Sequence, residues 1–152
     1  MAPSEAVLDF RVPPVPHVAR MVREGVAEFA ESHGISRDDV AQFLTALGEA
    51  LANAIEHARA TEPIHVEVRI TRDTIVATIA DGGVGFAADH LSEPSLPDPG
   101  AERGRGLAIM RSCCDIFSIE SERGKGTSIK IGRRLRAAKP RLSIAGCAQP
   151  LP

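Results

Sequence analysis

The chain has 152 residues, the usual size of one domain and enough to bury a core without a disulfide or metal staple. Its composition is ordinarily globular, 43% hydrophobic and 25% charged, but aromatics stop at five Phe, so the core must rest on Val, Ile, Leu and Ala and a base-stacking nucleic-acid module is disfavoured. The formal charge of −2 argues against general nucleic-acid binding, three cysteines are too few for a disulfide framework, and no stretch reaches the roughly 20 apolar residues of a membrane helix.

Residues 1–10 contain acids and no apolar run, so no signal peptide is expected. Together with Cys113, Cys114 and Cys147 read as reduced thiols, this predicts a cytoplasmic protein. Leu8, Phe10 and Val12 alternate with Val7, Asp9 and Arg11, the pattern of a short strand that ends at Pro13-Pro14-Val15-Pro16. Val18, Met21, Val22, Val26 and Phe29 then recur at helical spacing until Gly34. Ser36 with Asp39 three residues later resembles a capping box that opens a second, longer helix. That helix carries the clearest period in the chain, an apolar stripe of Val40, Phe43, Leu44, Leu47, Leu51, Ala54, Ile55 and Ala58.

After Pro63 the period changes to two. Ile64, Val66, Val68 and Ile70 alternate with polar residues, Thr71-Arg72-Asp73 turns the chain, and a second strand over 74–80 completes a hairpin. The loop Asp81-Gly82-Gly83-Val84-Gly85 follows, then an aperiodic, Pro-containing segment over 87–103, of a length usually functional or disordered inside a domain. Gly104-Arg105-Gly106 opens an apolar helix through Leu107, Ile109 and Met110. Two strands, around 116–120 and 127–132, are joined by Gly124-Lys125-Gly126. Pro, Ala and basic residues predict a disordered tail over 137–152. The run from 123 to 141 holds eight Lys and Arg and no acid, either a solvated edge or a docking surface for an acidic partner. Helices first and a mostly antiparallel run of strands after them predict an α+β sandwich over 1–136.

Glu49 and Asn53 lie four apart on the long helix and so share a face, placed by helical angle roughly opposite the apolar stripe. No Lys or Arg occurs from 42 to 58, and Ala46, Ala50 and Ala52 leave room for a close approach. A carboxylate beside an amide oxygen suits a hard cation such as Mg²⁺, or a hydroxyl that must lose a proton. Asp81, at a strand end on a glycine-rich backbone, is a candidate acceptor for an exocyclic amine of a planar ring such as adenine. Gly104 and Gly106 at a helix start, flanked by Arg103 and Arg105, suit phosphate. The chain has no Gly-x-x-x-x-Gly-Lys-Ser/Thr loop, and the five His show no metal-ligand spacing.

The order of these elements is more specific than any one of them. A Glu/Asn helix, an Asp-x-Gly-x-Gly loop, a Gly-x-Gly helix start and Gly126-Thr127 at a strand start resemble the Bergerat-type ATPases, the superfamily of gyrase, MutL and sensor histidine kinases. The closest likeness is to their anti-sigma factor serine kinases, over roughly residues 5–135. The resemblance implies the Bergerat ATP-binding fold, a two-layer α/β sandwich with a mixed, mostly antiparallel sheet and helices on one face. It implies a serine/threonine protein kinase that uses ATP and Mg²⁺, sequesters a sigma factor as a homodimer, and phosphorylates an anti-anti-sigma protein. By that resemblance Glu49 is the general base, Asn53 the Mg²⁺ ligand, and Asp81 the adenine acceptor with Gly83 and Gly85 lining the pocket. Residues 87–103 are the lid, Arg103 and Arg105 stand near the β- and γ-phosphates, Gly104, Gly106 and Leu107 supply N–H groups, and Thr127 closes the adenine side. Two alternatives stay open: a switch kinase that phosphorylates a scaffold protein, and a nucleotide-binding regulator with little catalysis, which would have no need of a base at Glu49.

Overall fold

The computed structural model describes residues 4–59, 61–85 and 102–136. Most of the expected lid and all of the expected tail lie outside these residues, as do Phe86, His90, Cys147 and the side chains of Glu102 and Arg103. The elements run β1 (Ala6–Val12), α1 (Val18–Ser32), α2 (Arg37–His57), β2 (Ile64–Ile70), β3 (Thr74–Asp81), α3 (Glu102–Cys113), β4 (Ile116–Glu122) and β5 (Gly126–Arg134). Among the described residues no helix is long and apolar enough to cross a membrane.

The strands form one five-stranded sheet in the order β1-β2-β3-β5-β4. Every pairing is antiparallel, so the mixed character expected of the sheet is absent among the described strands. The chain reaches β4 at the far edge through α3, then returns by a tight turn so that β5 fills the gap beside β3. That insertion brings the end of β3 against the start of β5, with Asp81 paired to Thr127.

Alternation decides which face is covered. Ile64, Val66, Val68 and Ile70 on β2 and Ile75, Ala77 and Ile79 on β3 point inward and are buried. They meet Ile129 and Ile131 from β5 and, from the helices, Val22, Val26, Phe43, Leu47, Leu51 and Met110. Each such side chain contributes roughly 1.5–3 kcal/mol on burial, and the core reaches this without Trp or Tyr, as its composition requires. The opposite face carries polar pairs instead: His65 with Asp9, and Arg69 with Glu5 and Glu67. Exposed pairs of this kind contribute only ~0–1 kcal/mol each.

Local signals set the helix ends. Gly34 takes φ +77°, which a left-handed cap needs, and the amides of Gly34 and Ile35 close back on the carbonyls of Glu31 and Ala30. Ser36 caps α2 as its spacing predicts, its hydroxyl oxygen accepting from the Asp39 amide at 3.2 Å while the hydroxyl donates to Asp39 Oδ2 at 3.0 Å.

Candidate functional site

α2 is the axis of the site, and it is covered on more sides than its apolar stripe foretells. The sheet takes one side, α1 a second and α3 a third. The face of Glu49 and Asn53, expected opposite the stripe, is therefore not a free surface, because α3 packs beside it. Both side chains are half-buried, Ala46 and Ala50 are fully buried, and only Ala52 of that alanine set is exposed. Glu49, Ala52, Asn53 and Glu56 line one wall of a cleft whose other wall is Gly106, Leu107 and Met110 of α3. Among the described residues no hydrogen bond or ion pair engages the Glu49 carboxylate or the Asn53 amide. A larger groove lies on the open face of the sheet, but Glu5, Glu67 and Arg69 in its lining are paired with one another.

α3 starts at Glu102, two residues before the glycine pair expected to open it. Gly104 falls in the first turn, and Gly106 and Leu107 at the start of the second. The four N–H groups of a first helical turn have no intrahelical partner, so free donors and a positive dipole end face the region N-terminal to Gly106. The lack of a side chain at Gly106 has a direct consequence, since a Cβ there would stand 3.1 Å from Glu49 Oε2. Arg105 is exposed.

At the other end of α2 lies the Asp81 loop. Asp81 is 7% exposed at the end of β3, and its Oδ1 accepts from the Gly83 amide at 2.9 Å. Burial pushes its carboxyl above the usual carboxylate range, while the amides of Gly83 and Thr127 and the nearby His57 pull it back down. Glycine is required twice here. A Cβ on Gly83 would overlap the carbonyl oxygen of His57, and one on Gly85, at φ +62°, would overlap the carbonyl of Glu122. These absences let the loop close onto the end of α2 and onto β4. Thr127 is buried beside Asp81, its hydroxyl bonded to that of Ser121 at 2.8 Å.

One helix thus joins the two halves of the site. His57 touches the Asp81 loop, Asn53 lies one turn back and Glu49 two turns back, spans of about 6 and 12 Å at 1.5 Å per residue. The structure brings together Glu49, Asn53, Gly106 and Leu107 at the cleft, and Asp81, Gly83, Gly85 and Thr127 at the loop. Two neighbours escaped the sequence reading. The Glu62 carboxylate lies against the Cα of Gly82, and the carbonyl of His57 packs on Gly83. Neither has a local signature, because a backbone carbonyl is common to all residues and Glu62 sits in an irregular connection.

The residues present fit a nucleotide with a divalent cation: half-buried polar groups without hydrogen-bond partners among the described residues, a glycine that clears space at a carboxylate, and a buried acceptor oriented by the Gly83 amide. The chain is also similar to known proteins. The family described as histidine kinase-like ATPase domain matches residues 12–132. The anti-sigma F factor of Oceanobacillus iheyensis is 32% identical over 123 residues, 77% of this chain and 84% of that protein. The anti-sigma F factor of Clostridium beijerinckii is 29% identical over 120 residues, 74% and 82% of the two chains. The serine-protein kinase RsbW of Bacillus velezensis is 27% identical over 134 residues, 82% and 84% of the two. A crystal structure of RsbU and RsbW domains from Mycobacterium tuberculosis shares the fold, with a TM-score of 0.64 at 22% identity, over 86% of this chain and 32% of that longer one.

Proposed function

Because this chain belongs to the histidine kinase-like ATPase domain family, we propose that it is an ATP-dependent serine/threonine protein kinase acting as an anti-sigma factor in the cytoplasm. In this reading it holds a sigma factor as a homodimer and phosphorylates an anti-anti-sigma protein. The single observation that carries the proposal is the pair Glu49 and Asn53, half-buried, free of partners among the described residues and facing Gly106 across a cleft. The relatives named anti-sigma F factor and serine-protein kinase RsbW support the same reading.

Each residue then has one task. Glu49 accepts the proton of a serine or threonine hydroxyl on the partner, a transfer typically worth 10²–10⁴-fold in rate. Asn53 offers its amide oxygen to Mg²⁺, an ion that usually keeps several waters and takes only one or two protein ligands when phosphates share it. Bound there, Mg²⁺ would supply positive charge to offset that of the phosphates. Asp81 accepts from the exocyclic amine of adenine, with Gly83, Gly85 and Thr127 around the ring. Arg103, Arg105 and the free first-turn amides of α3, Gly104 among them, balance phosphate charge, whereas the amides of Gly106 and Leu107, in the second turn, bond within the helix and act only through its dipole. Phosphoryl transfer needs mainly positioning and charge neutralisation, which this set of groups can supply.

The test is calorimetry with ATP and Mg²⁺ on the wild type, Asn53→Ala and Glu49→Ala, followed by phosphotransfer to a candidate anti-anti-sigma protein. The expected result is binding by the wild type and by Glu49→Ala, loss of binding by Asn53→Ala, and phosphotransfer only by the wild type. A wild type without nucleotide affinity would sink the kinase reading.

A further inference from the structure

Arg133 is the one cation of the basic run from 123 to 141 that the fold turns inward among the described residues with an acid to meet it. Its side chain is 13% exposed and reaches across to the first turn of α2, where Nε and Nη2 donate to Asp39 Oδ1 at 3.1 and 2.9 Å. Nη1 donates to Gln42 Oε1 at 3.1 Å and, at 2.7 Å, to the carbonyl oxygen of Cys113. Cys113 is the last residue of α3. One planar guanidinium on β5 thus holds the start of α2 and the end of α3 at once. A cation at a helix C-terminus also complements its dipole, and the fork geometry fixes direction as well as distance, which a lysine ammonium cannot reproduce.

The consequence lies at the other end of α3. Gly106 and Leu107 face Glu49 and Asn53 across the cleft, so the width of that cleft depends on how α3 is set against α2. Asp39 and Glu49 belong to the same rigid helix, and Cys113 and Gly106 to the other. We propose that Arg133 is a positioning residue that sets α3 relative to α2 and thereby the nucleotide cleft, touching no nucleotide itself. The proposal rests on the nucleotide reading of that cleft. It separates two jobs of the same side chain: the ion pair with Asp39 holds the fold, and the bond to the Cys113 carbonyl holds the cleft.

Two substitutions pull the jobs apart. Arg133→Lys keeps a charge for Asp39 but loses the fork to Gln42 and Cys113. Asp39→Asn weakens the ion pair and leaves the bond to α3 in place. Affinity for Mg²⁺-ATP, Tm and amide hydrogen exchange along α3 are measured on full-length wild type and both variants. Arg133→Lys is expected to weaken affinity five- to tenfold and speed exchange at residues 106–110, with a small change in Tm. Asp39→Asn is expected to lower Tm clearly while affinity, measured well below Tm, stays within twofold. If affinity follows Tm in both variants, or if Arg133→Lys binds and exchanges like the wild type, the positioning role is wrong. Should the wild type bind no nucleotide, the cleft reading fails separately, and the exchange data still decide whether Arg133 holds α3. Should a variant not fold, exchange in the wild type alone decides. A clamped α3 stays protected at its last turn without nucleotide and gains protection at its first turns with it, and fraying at both ends would overturn the proposal.

Discussion

The Glu49 carboxylate and the backbone of Gly106 face each other so closely that a methyl group on Gly106 would stand 3.1 Å from Glu49 Oε2. Gly106 lies inside α3 and has no positive φ. Its glycine is therefore not explained by backbone conformation. An alanine would suit the helix better by about 0.8–1 kcal/mol, and the contact would displace only the flexible end of a half-buried side chain. What glycine leaves open is the approach to Glu49.

Gly106→Ala should accordingly separate stability from function. Thermal melting should show a Tm unchanged or slightly raised, because the helix gain offsets a small shift of Glu49. Phosphotransfer to a partner should fall about tenfold or more, since ~1.4 kcal/mol on the barrier is a factor of ten, while nucleotide affinity, which does not need Glu49, should hold. A variant that melts lower and keeps full phosphotransfer would show that Gly106 serves packing.

The glycines of the Asp81 loop and the β4–β5 turn should behave the opposite way. Gly126 has φ +89°, and a Cβ there would overlap the carbonyl oxygen of Asp81. Both the left-handed backbone, ~1–2 kcal/mol, and the overlap with main chain, ~1–3 kcal/mol, count against a side chain. Gly83→Ala meets the His57 carbonyl, also main chain, without the φ cost. Gly124, at φ +82°, has open space around its Cβ direction. In urea unfolding, the loss of stability should therefore rank Gly126→Ala above Gly124→Ala, with Gly124→Ala near the ~1–2 kcal/mol of the backbone alone. Equal effects at 124 and 126 would mean that the loop gives way around the Asp81 carbonyl.

How much of this was legible in the sequence depends on the range of the interaction. Ser36 and Asp39 are three apart, and their capping contact was readable because a helix start needs those types at that spacing. The inward residues of β2 and β3 were readable because strand period is local. The apolar stripe of α2 was readable too, but the third covered side was not, since it depends on where α3 lands, some 50 residues later. The start of α3 was missed by two residues for a related reason: glycine weakens a helix, and only packing against α2 carries the helix through Gly104 and Gly106. Arg133 reads as one of many cations in a basic run, and its partner Asp39 is 94 positions away. No pattern rule spans that distance without the sheet order that delivers β5 beneath α2.

Asp81 gives a dependence on pH. Its folded carboxyl titrates above the ordinary value, chiefly through burial. The sign follows from the charged form being disfavoured in the fold: the contribution to stability is full below the unfolded pKa and is lost as pH rises through the folded one. Function runs the other way, because only the ionised carboxylate accepts freely from an amine. Nucleotide affinity should thus begin to fall, on acidification, at a higher pH than an ordinary aspartate would set. Asp81→Asn should keep or raise stability near neutral pH and lower affinity about tenfold or more, as a hydrogen bond to a charged group is worth ~1.5–3 kcal/mol. Calorimetric titrations across the acid range, on wild type and variant, would check both, and a variant with wild-type affinity would remove Asp81 from nucleotide recognition.

The last expectation compares two residues that share one cap. Ser36 and Asp39 bond to each other at the start of α2, but only Asp39, 4% exposed, also faces the mostly covered guanidinium of Arg133. Ser36→Ala removes an N-cap, a loss of about 1 kcal/mol. Asp39→Ala removes the cap's second bond and leaves Arg133 with an uncompensated charge, and breaking a buried pair from one side typically costs ~3–5 kcal/mol. Replacing both ends, Asp39→Ala with Arg133→Met, should recover a good part of that loss, because no unpaired charge remains inside. Chemical denaturation of wild type, Asp39→Ala, Arg133→Met and their double variant closes the cycle, with Ser36→Ala measured beside it. If Asp39→Ala is no worse than Ser36→Ala, water reaches Arg133 in the variant and the pair acts as a surface pair, whereas a large loss partly restored in the double variant means that the junction of α2, α3 and β5 is held by desolvated charge.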